Sequence, residues 1–208
     1  MADSARTPLR LGVVLALALE KVNLHRRIAL HVLRLMGSRA DLVVLGFMLA
    51  TAFLSMWLSN TATTMMMIPI VMSVVLSLEE TLNKSSITHY ATGLLLAIAY
   101  SSSIGGMSTL VGSPTNLVCP RILTMLYPGA PDITFTGWMA FALPVSAVML
   151  VAVWAVIYFI YRPRVKWARM DREHFRNAYR ELGKTTAEER TVFILFLLLA
   201  FLWITRTG

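Results

Sequence analysis

The stretch "MWLSNTATTMMMIP", residues 56–69, decides the fold. Its centre, Ser59-Asn60-Thr61-Ala62-Thr63-Thr64, carries hydroxyls and one amide but no charge. On either side lie uncharged, almost wholly apolar arms, over about 42–58 and 62–78. The pattern predicts a helical hairpin, 42–78, with a polar tip in apolar surroundings. A non-helical turn inside a bilayer leaves peptide N–H and C=O groups unpaired, at several kcal/mol each. Such turns occur at membrane depth only where protein or an aqueous cavity surrounds them. If the hairpin crossed fully, its tip would lie in water and the polar run would need no explanation. If it re-enters, the tip groups become ligands.

The rest of the chain supports a membrane setting. Apolar residues make up 57% of the 208 residues, and the mean hydropathy is +0.66, outside the range of soluble domains. Every carboxylate falls between or at the edges of the apolar segments. The net charge of +8 does not point to nucleic acid, because the basic residues cluster in loops flanking apolar spans, where they set orientation. Cys119 is the sole cysteine and excludes an intramolecular disulfide. The opening "MADSARTPLRLGVVLALALEK" mimics a secretory signal, but cleavage would export the basic stretch 21–39. Its apolar run, 11–19, is too short to span a bilayer, which takes roughly 20 residues.

Six segments follow from this patterning. Residues 1–41 hold a truncated helix end and an amphipathic surface helix, with Leu24, Ile28, Val32 and Leu35 on one face and Asn23, Arg27, His31 and Arg34 on another. The hairpin occupies 42–78, and an interrupted span occupies 87–127. A full span covers 137–161, with Trp138 at one end and Tyr158 and Tyr161 at the other as interfacial anchors. A basic arm, 162–190, precedes the start of a further span, 191–208. The basic loops 21–39 and 162–190 belong in the cytoplasm, and the loop 128–136, free of Lys and Arg, belongs outside. This charge count fits a crossing hairpin and a re-entrant one equally well.

The interrupted span weighs toward re-entry. "SSSIGGMSTLVGSPTN", residues 101–116, breaks a membrane segment with hydroxyls, Gly105, Gly106, Gly112 and Pro114. Glycine permits backbone to leave the helix, and proline removes a donor. A broken helix facing a polar hairpin tip is how many secondary transporters build a site near the midplane. The bland alternative is that the hydroxyls bond back to their own helices and Gly-Gly marks a close contact. The Met65–Met67 run reads as packing, and the four histidines lie in loops or on surface helices, away from any metal-ligand pattern. No acid, Lys or His lies near either interruption, so proton coupling through a tuned side chain has no candidate there. Neutral hydroxyl, amide and carbonyl oxygens suit sodium. No nucleophile–base arrangement suggests an enzyme, and no cofactor is implied beyond sodium as coupling ion.

"SNT" after an apolar arm, then "IGGMSTLVGSPTN" in the next span, resembles the divalent anion/sodium symporters, the dicarboxylate, citrate and sulfate carriers. "LALALEKVNLHRRIALHVLRLMGSR" before the hairpin and the basic arm after 161 are similar too. The resemblance implies an all-α membrane protein: a transporter half with a re-entrant hairpin and a broken transmembrane helix, one of two inverted repeats. It implies a sodium site of Ser55, Ser59, Asn60, Gly112 and Asn116, and a substrate site of Asn60, Thr61, Ser113 and Pro114. Where the family often has Pro-Pro-Asn, this chain has Pro114-Thr115-Asn116. The expected whole is a sodium-coupled, alternating-access carrier of dicarboxylates or related divalent anions. It would be a homodimer with several passes through the cell inner membrane, and this chain would be a fragment, a truncated gene model or a degenerate copy of it. The alternatives are an oxyanion or arsenite-type permease not coupled to sodium, and a non-transporting membrane scaffold.

Overall fold

The computed structural model describes residues 24–36, 39–79, 84–161 and 172–205, with Val14, Ala18, Lys21 and Val22 ahead of them. Most of the run 11–19, the loop 80–83, residues 162–171 of the basic arm and residues 206–208 lie outside the described residues. The described residues form α1 (Leu24–Met36), α2 (Ala40–Ser55), α3 (Asn60–Glu79), α4 (Lys84–Met107), α5 (Pro114–Leu126), α6 (Phe135–Tyr161), α7 (Arg172–Glu181) and α8 (Ala187–Thr205). No strand occurs among them. The chain is all-helical there.

Helix α4 is the spine. It packs against α2, α3 and α6 more extensively than the hairpin arms α2 and α3 pack against each other. Helices α2 and α4 run the same way: the Tyr90 hydroxyl donates to the Ala40 carbonyl at 3.0 Å at one end, and Gly105 lies on Ala52 at the other. Helix α6 runs opposite, with His89 Nε2 2.9 Å from the Ile160 carbonyl oxygen and Tyr161 against Gly93. At its other end the Trp138 indole N–H donates to the Met107 carbonyl at 3.0 Å. Trp138, expected as a headgroup anchor, thus satisfies a carbonyl that the end of α4 leaves without a helical partner.

Phe47 and Met48 of α2, Met67 and Val71 of α3, and Leu94 and Ile98 of α4 form the dry core. Lipid tails are as apolar as these side chains, so helices associate in a bilayer through close contact and small residues. Gly105 supplies that contact, since a Cβ there would lie 2.2 Å from the Ala52 carbonyl oxygen. The outer faces remain apolar and exposed, including Phe141, Val148 and Phe159 of α6 and Ile194, Leu198 and Phe201 of α8. Exposed apolar surface on this scale fits lipid or protein cover. Only α6, at 27 residues, is both long and apolar enough to cross a membrane among the described residues, with a rise of about 40 Å. The 16-residue α2 rises about 24 Å, short of the ~30 Å hydrocarbon thickness.

Helix α1 is amphipathic, with Ile28 and Val32 packed partly buried against the core, but its most buried face is turned from the one expected. Its core face is Leu24, Ala29, Leu30 and Leu33, whereas Leu35 is exposed. Arg27, placed on the polar face, is 8% exposed and pairs with Glu189, itself 7% exposed, at 3.1 Å. Its guanidinium also donates to the carbonyls of Leu182 and Gly183. The basic arm is therefore no single element: α7 ends at Glu181, and Gly183 just beyond it has a φ of +67°, left-handed backbone that suits glycine. A capping box then starts α8. Thr186 Oγ1 accepts the Glu189 N–H, and the Glu189 carboxylate accepts the Thr186 N–H.

Candidate functional site

Two non-helical segments meet beside α4: the hairpin turn 56–59, and residues 108–113 between α4 and α5. Ser55 ends α2 and Asn60 begins α3, so the chain reverses within four residues and sets their side chains together. Ser55 Oγ lies 2.8 Å from Asn60 Oδ1 and 2.7 Å from the Ser102 carbonyl oxygen. One hydroxyl proton serves both acceptors, so the cluster holds more lone pairs than protons. The Thr64 hydroxyl donates to the Asn60 carbonyl and lies 2.9 Å from Ser102 Oγ, tying α3 to α4.

The glycines act by close approach. A Cβ at Gly106 would fall 2.0 Å from Asn60 Oδ1, and one at Gly112 would fall 2.6 Å from the Gly106 carbonyl oxygen and 2.9 Å from that of Ser55. The sequence suggested that Gly105 and Gly106 let the backbone leave the helix. Both remain within α4, and the sole positive-φ glycine among the described residues is Gly183. Their missing side chains make room for the hairpin instead.

Asn116, buried in the first turn of α5, donates from Nδ2 to the carbonyls of Gly106 at 2.8 Å and Thr109 at 2.7 Å. It stitches α5 back to the end of α4. Ser59 accepts the Ala62 N–H at 3.3 Å and sits exposed at the start of α3. Thr61 is exposed, and neither its hydroxyl nor Asn60 Nδ2 has a hydrogen-bond partner among the described residues. Half-buried Ser113 precedes α5, its hydroxyl 2.8 Å from that of Thr115, and Pro114 opens the helix, exposed. The structure therefore brings Ser55, Asn60 and Gly112 together through Gly106. It places Ser59, Thr61, Ser113 and Pro114 at two helix amino termini flanking them.

The sequence reading held Thr64 only within the polar run Ser59–Thr64 and gave no role to Ser102 or Thr109. Three consecutive serines hid Ser102: Ser101 and Ser103 bond back to carbonyls of their own helix, and only Ser102 also faces the hairpin. Thr109 had a usable signal in Thr-x-x-Gly, since its hydroxyl accepts the Gly112 N–H at 3.0 Å.

All-helical among the described residues, with apolar outer faces and neutral polar atoms gathered between helix ends, the chain has the build of a helical membrane protein. A family described as the sodium:sulfate symporter transmembrane region matches residues 9–208, and the chain belongs to that family. It is 40% identical over 202 residues to a sodium-dependent dicarboxylate transporter of Staphylococcus saprophyticus, and 38% identical over 200 residues to one of Staphylococcus aureus. Each match covers 94% of this chain and 38% of the relative, so the chain spans well under half the length of these proteins.

Proposed function

We propose that this chain forms the amino-terminal one of two inverted repeats of a sodium-coupled symporter for dicarboxylates or related divalent anions. The observation that carries the reading is the meeting of the hairpin turn and the α4–α5 interruption at Ser55, Asn60, Gly106 and Gly112. Sodium takes the electron-rich side of the junction, at Ser55, Ser59, Asn60 and the Gly112 carbonyl. Asn116 contributes by holding the interruption closed. Hard neutral oxygens on unwound backbone are the ligands such sites use.

The anion takes the other side. Asn60 Nδ2 and the Thr61 hydroxyl offer unused donors, and Ser113 and Pro114 border it. Helices α3 and α5 both begin here, and the positive ends of their dipoles favour a carboxylate. Bound sodium then offsets substrate charge and bound substrate offsets sodium charge. The effect is large in a low-dielectric pocket, which makes the coupling reciprocal. Re-entry of the hairpin is supported by the short rise of α2 from its charged start at Arg39 and Asp41. The basic side faces the cytoplasm, the carrier is a homodimer in the inner membrane, and the two repeats alternate access.

Replacing Asn60 by Ala in the full-length permease carrying this chain tests the site. Uptake of a labelled dicarboxylate into proteoliposomes should be lost while the amount of folded protein is kept. Uptake that continues undiminished when choline replaces sodium contradicts the coupling, and loss of folded protein instead of uptake favours a scaffold.

A further inference from the structure

One buried hydroxyl touches both interruptions, and no expected ligand set includes it. Thr109 is fully buried within 108–113. Its hydroxyl donates to the Met56 carbonyl of the hairpin turn at 2.5 Å and accepts the Gly112 N–H at 3.0 Å. Its own carbonyl accepts Asn116 Nδ2 at 2.7 Å. Thr109 therefore joins the hairpin turn, the interruption and the first turn of α5.

We propose that Thr109 is a positioning residue that sets the spacing between the two interruptions, and through it the affinity of the cation site. This deepens the transport reading and rests on it. A hydroxyl has one proton and two lone pairs. At Thr109 the proton goes to Met56 and one lone pair goes to Gly112, so the group orients other oxygens. The bond to Gly112 N–H fixes the plane of the peptide entering Gly112. The bond to Met56 holds the residue following Ser55, whose hydroxyl and carbonyl both belong to the cluster. Without Thr109 Oγ1 the Gly112 amide and Met56 carbonyl lose a shared partner, and the turn and interruption are free to separate. Since Thr109 bridges parts proposed to hold sodium, its loss acts on sodium first and on the anion only through it.

The experiment compares Thr109→Val, which keeps shape and loses both bonds, with Thr109→Ser, which keeps both. Both are read in the full-length permease in proteoliposomes. In Thr109→Val, half-saturating sodium should rise by about tenfold, while substrate KM at saturating sodium and folded yield stay within about twofold. Thr109→Ser should restore half-saturating sodium to within about twofold of the unmodified protein. Unchanged half-saturating sodium in folded Thr109→Val overturns the proposal, as does an equal rise in Thr109→Ser. Should Thr109→Val fail to accumulate, Thr109→Cys, with its weak S–H donor, takes its place and faces the same criterion. Sodium-independent uptake by the unmodified permease would instead sink the transport reading itself, so the two failures are distinguishable.

Discussion

Two junctions hold this chain together, and they are built oppositely. At the corner between α1, α7 and α8, a charged pair is closed on itself: the Arg27 guanidinium meets Glu189 and the carbonyls of Leu182 and Gly183. The carboxylate of Glu189 also accepts the Thr186 N–H. At the meeting of hairpin and interruption no charge is used, and Ser55 Oγ, Asn60 Oδ1 and the Ser102 carbonyl share a single hydroxyl proton. The first junction pairs its charges with each other, leaving only Arg27 Nε buried without a partner among the described residues. The second keeps lone pairs in hand and unused donors on Asn60 and Thr61. The two differ in kind: a charged pair closes the first, and neutral groups with spare lone pairs and donors make up the second, the one proposed to take a guest.

The sharpest way to break this contrast is Gly106→Ala, whose Cβ would land on Asn60 Oδ1. Uptake should fall by about 100-fold or more, because the clash is with a side chain of the site while the helix tolerates Ala well. Retained uptake would show that Asn60 need not sit there. Next in size is Arg27→Met. Removing one partner of a buried pair leaves Glu189 uncompensated, and chemical unfolding should show a loss of about 3–5 kcal/mol. Half-saturating sodium should not change, and a shift would mean that corner and site are one unit. The double change Arg27→Met with Glu189→Leu should recover most of that stability, to within about 1–2 kcal/mol, since replacing both charges removes the uncompensated one. Smallest is Thr63→Val. The Thr63 hydroxyl is buried without a partner among the described residues, so its removal should leave stability unchanged or raise it by about 1 kcal/mol. A loss larger than that would reveal an undetected bond at Thr63.

The contrast also explains how much was legible in sequence. Apolar arms of fixed length around a neutral polar tip are demanded by the bilayer itself, so the hairpin 42–78 and the span 137–161 stand out from composition and length. Ser55, Asn60 and Gly112 were legible through motif order, although only coordinates bring them together across Gly106. Other features were not legible, for reasons that are local and physical. A glycine signals both backbone freedom and close approach, and nothing in "IGGM" says that Gly105 and Gly106 serve the second while staying helical. Arg27 falls on the polar face of a helical wheel, yet its partner lies 162 residues away, beyond any periodicity. The Thr186–Glu189 capping box is a local signal, but the surrounding positive charge blurred it into a continuous arm.

The central claim, that neutral oxygens at the meeting of hairpin and interruption bind sodium, is tested most directly by titrating the purified chain with sodium chloride against choline chloride. Thermal unfolding is followed in the unmodified chain and in Ser55→Ala. The account predicts a Tm that climbs with sodium but not with choline in the unmodified chain, and the loss of that climb in a folded Ser55→Ala variant. Identical curves in the two salts, or a sodium-dependent rise that survives in Ser55→Ala, would contradict it.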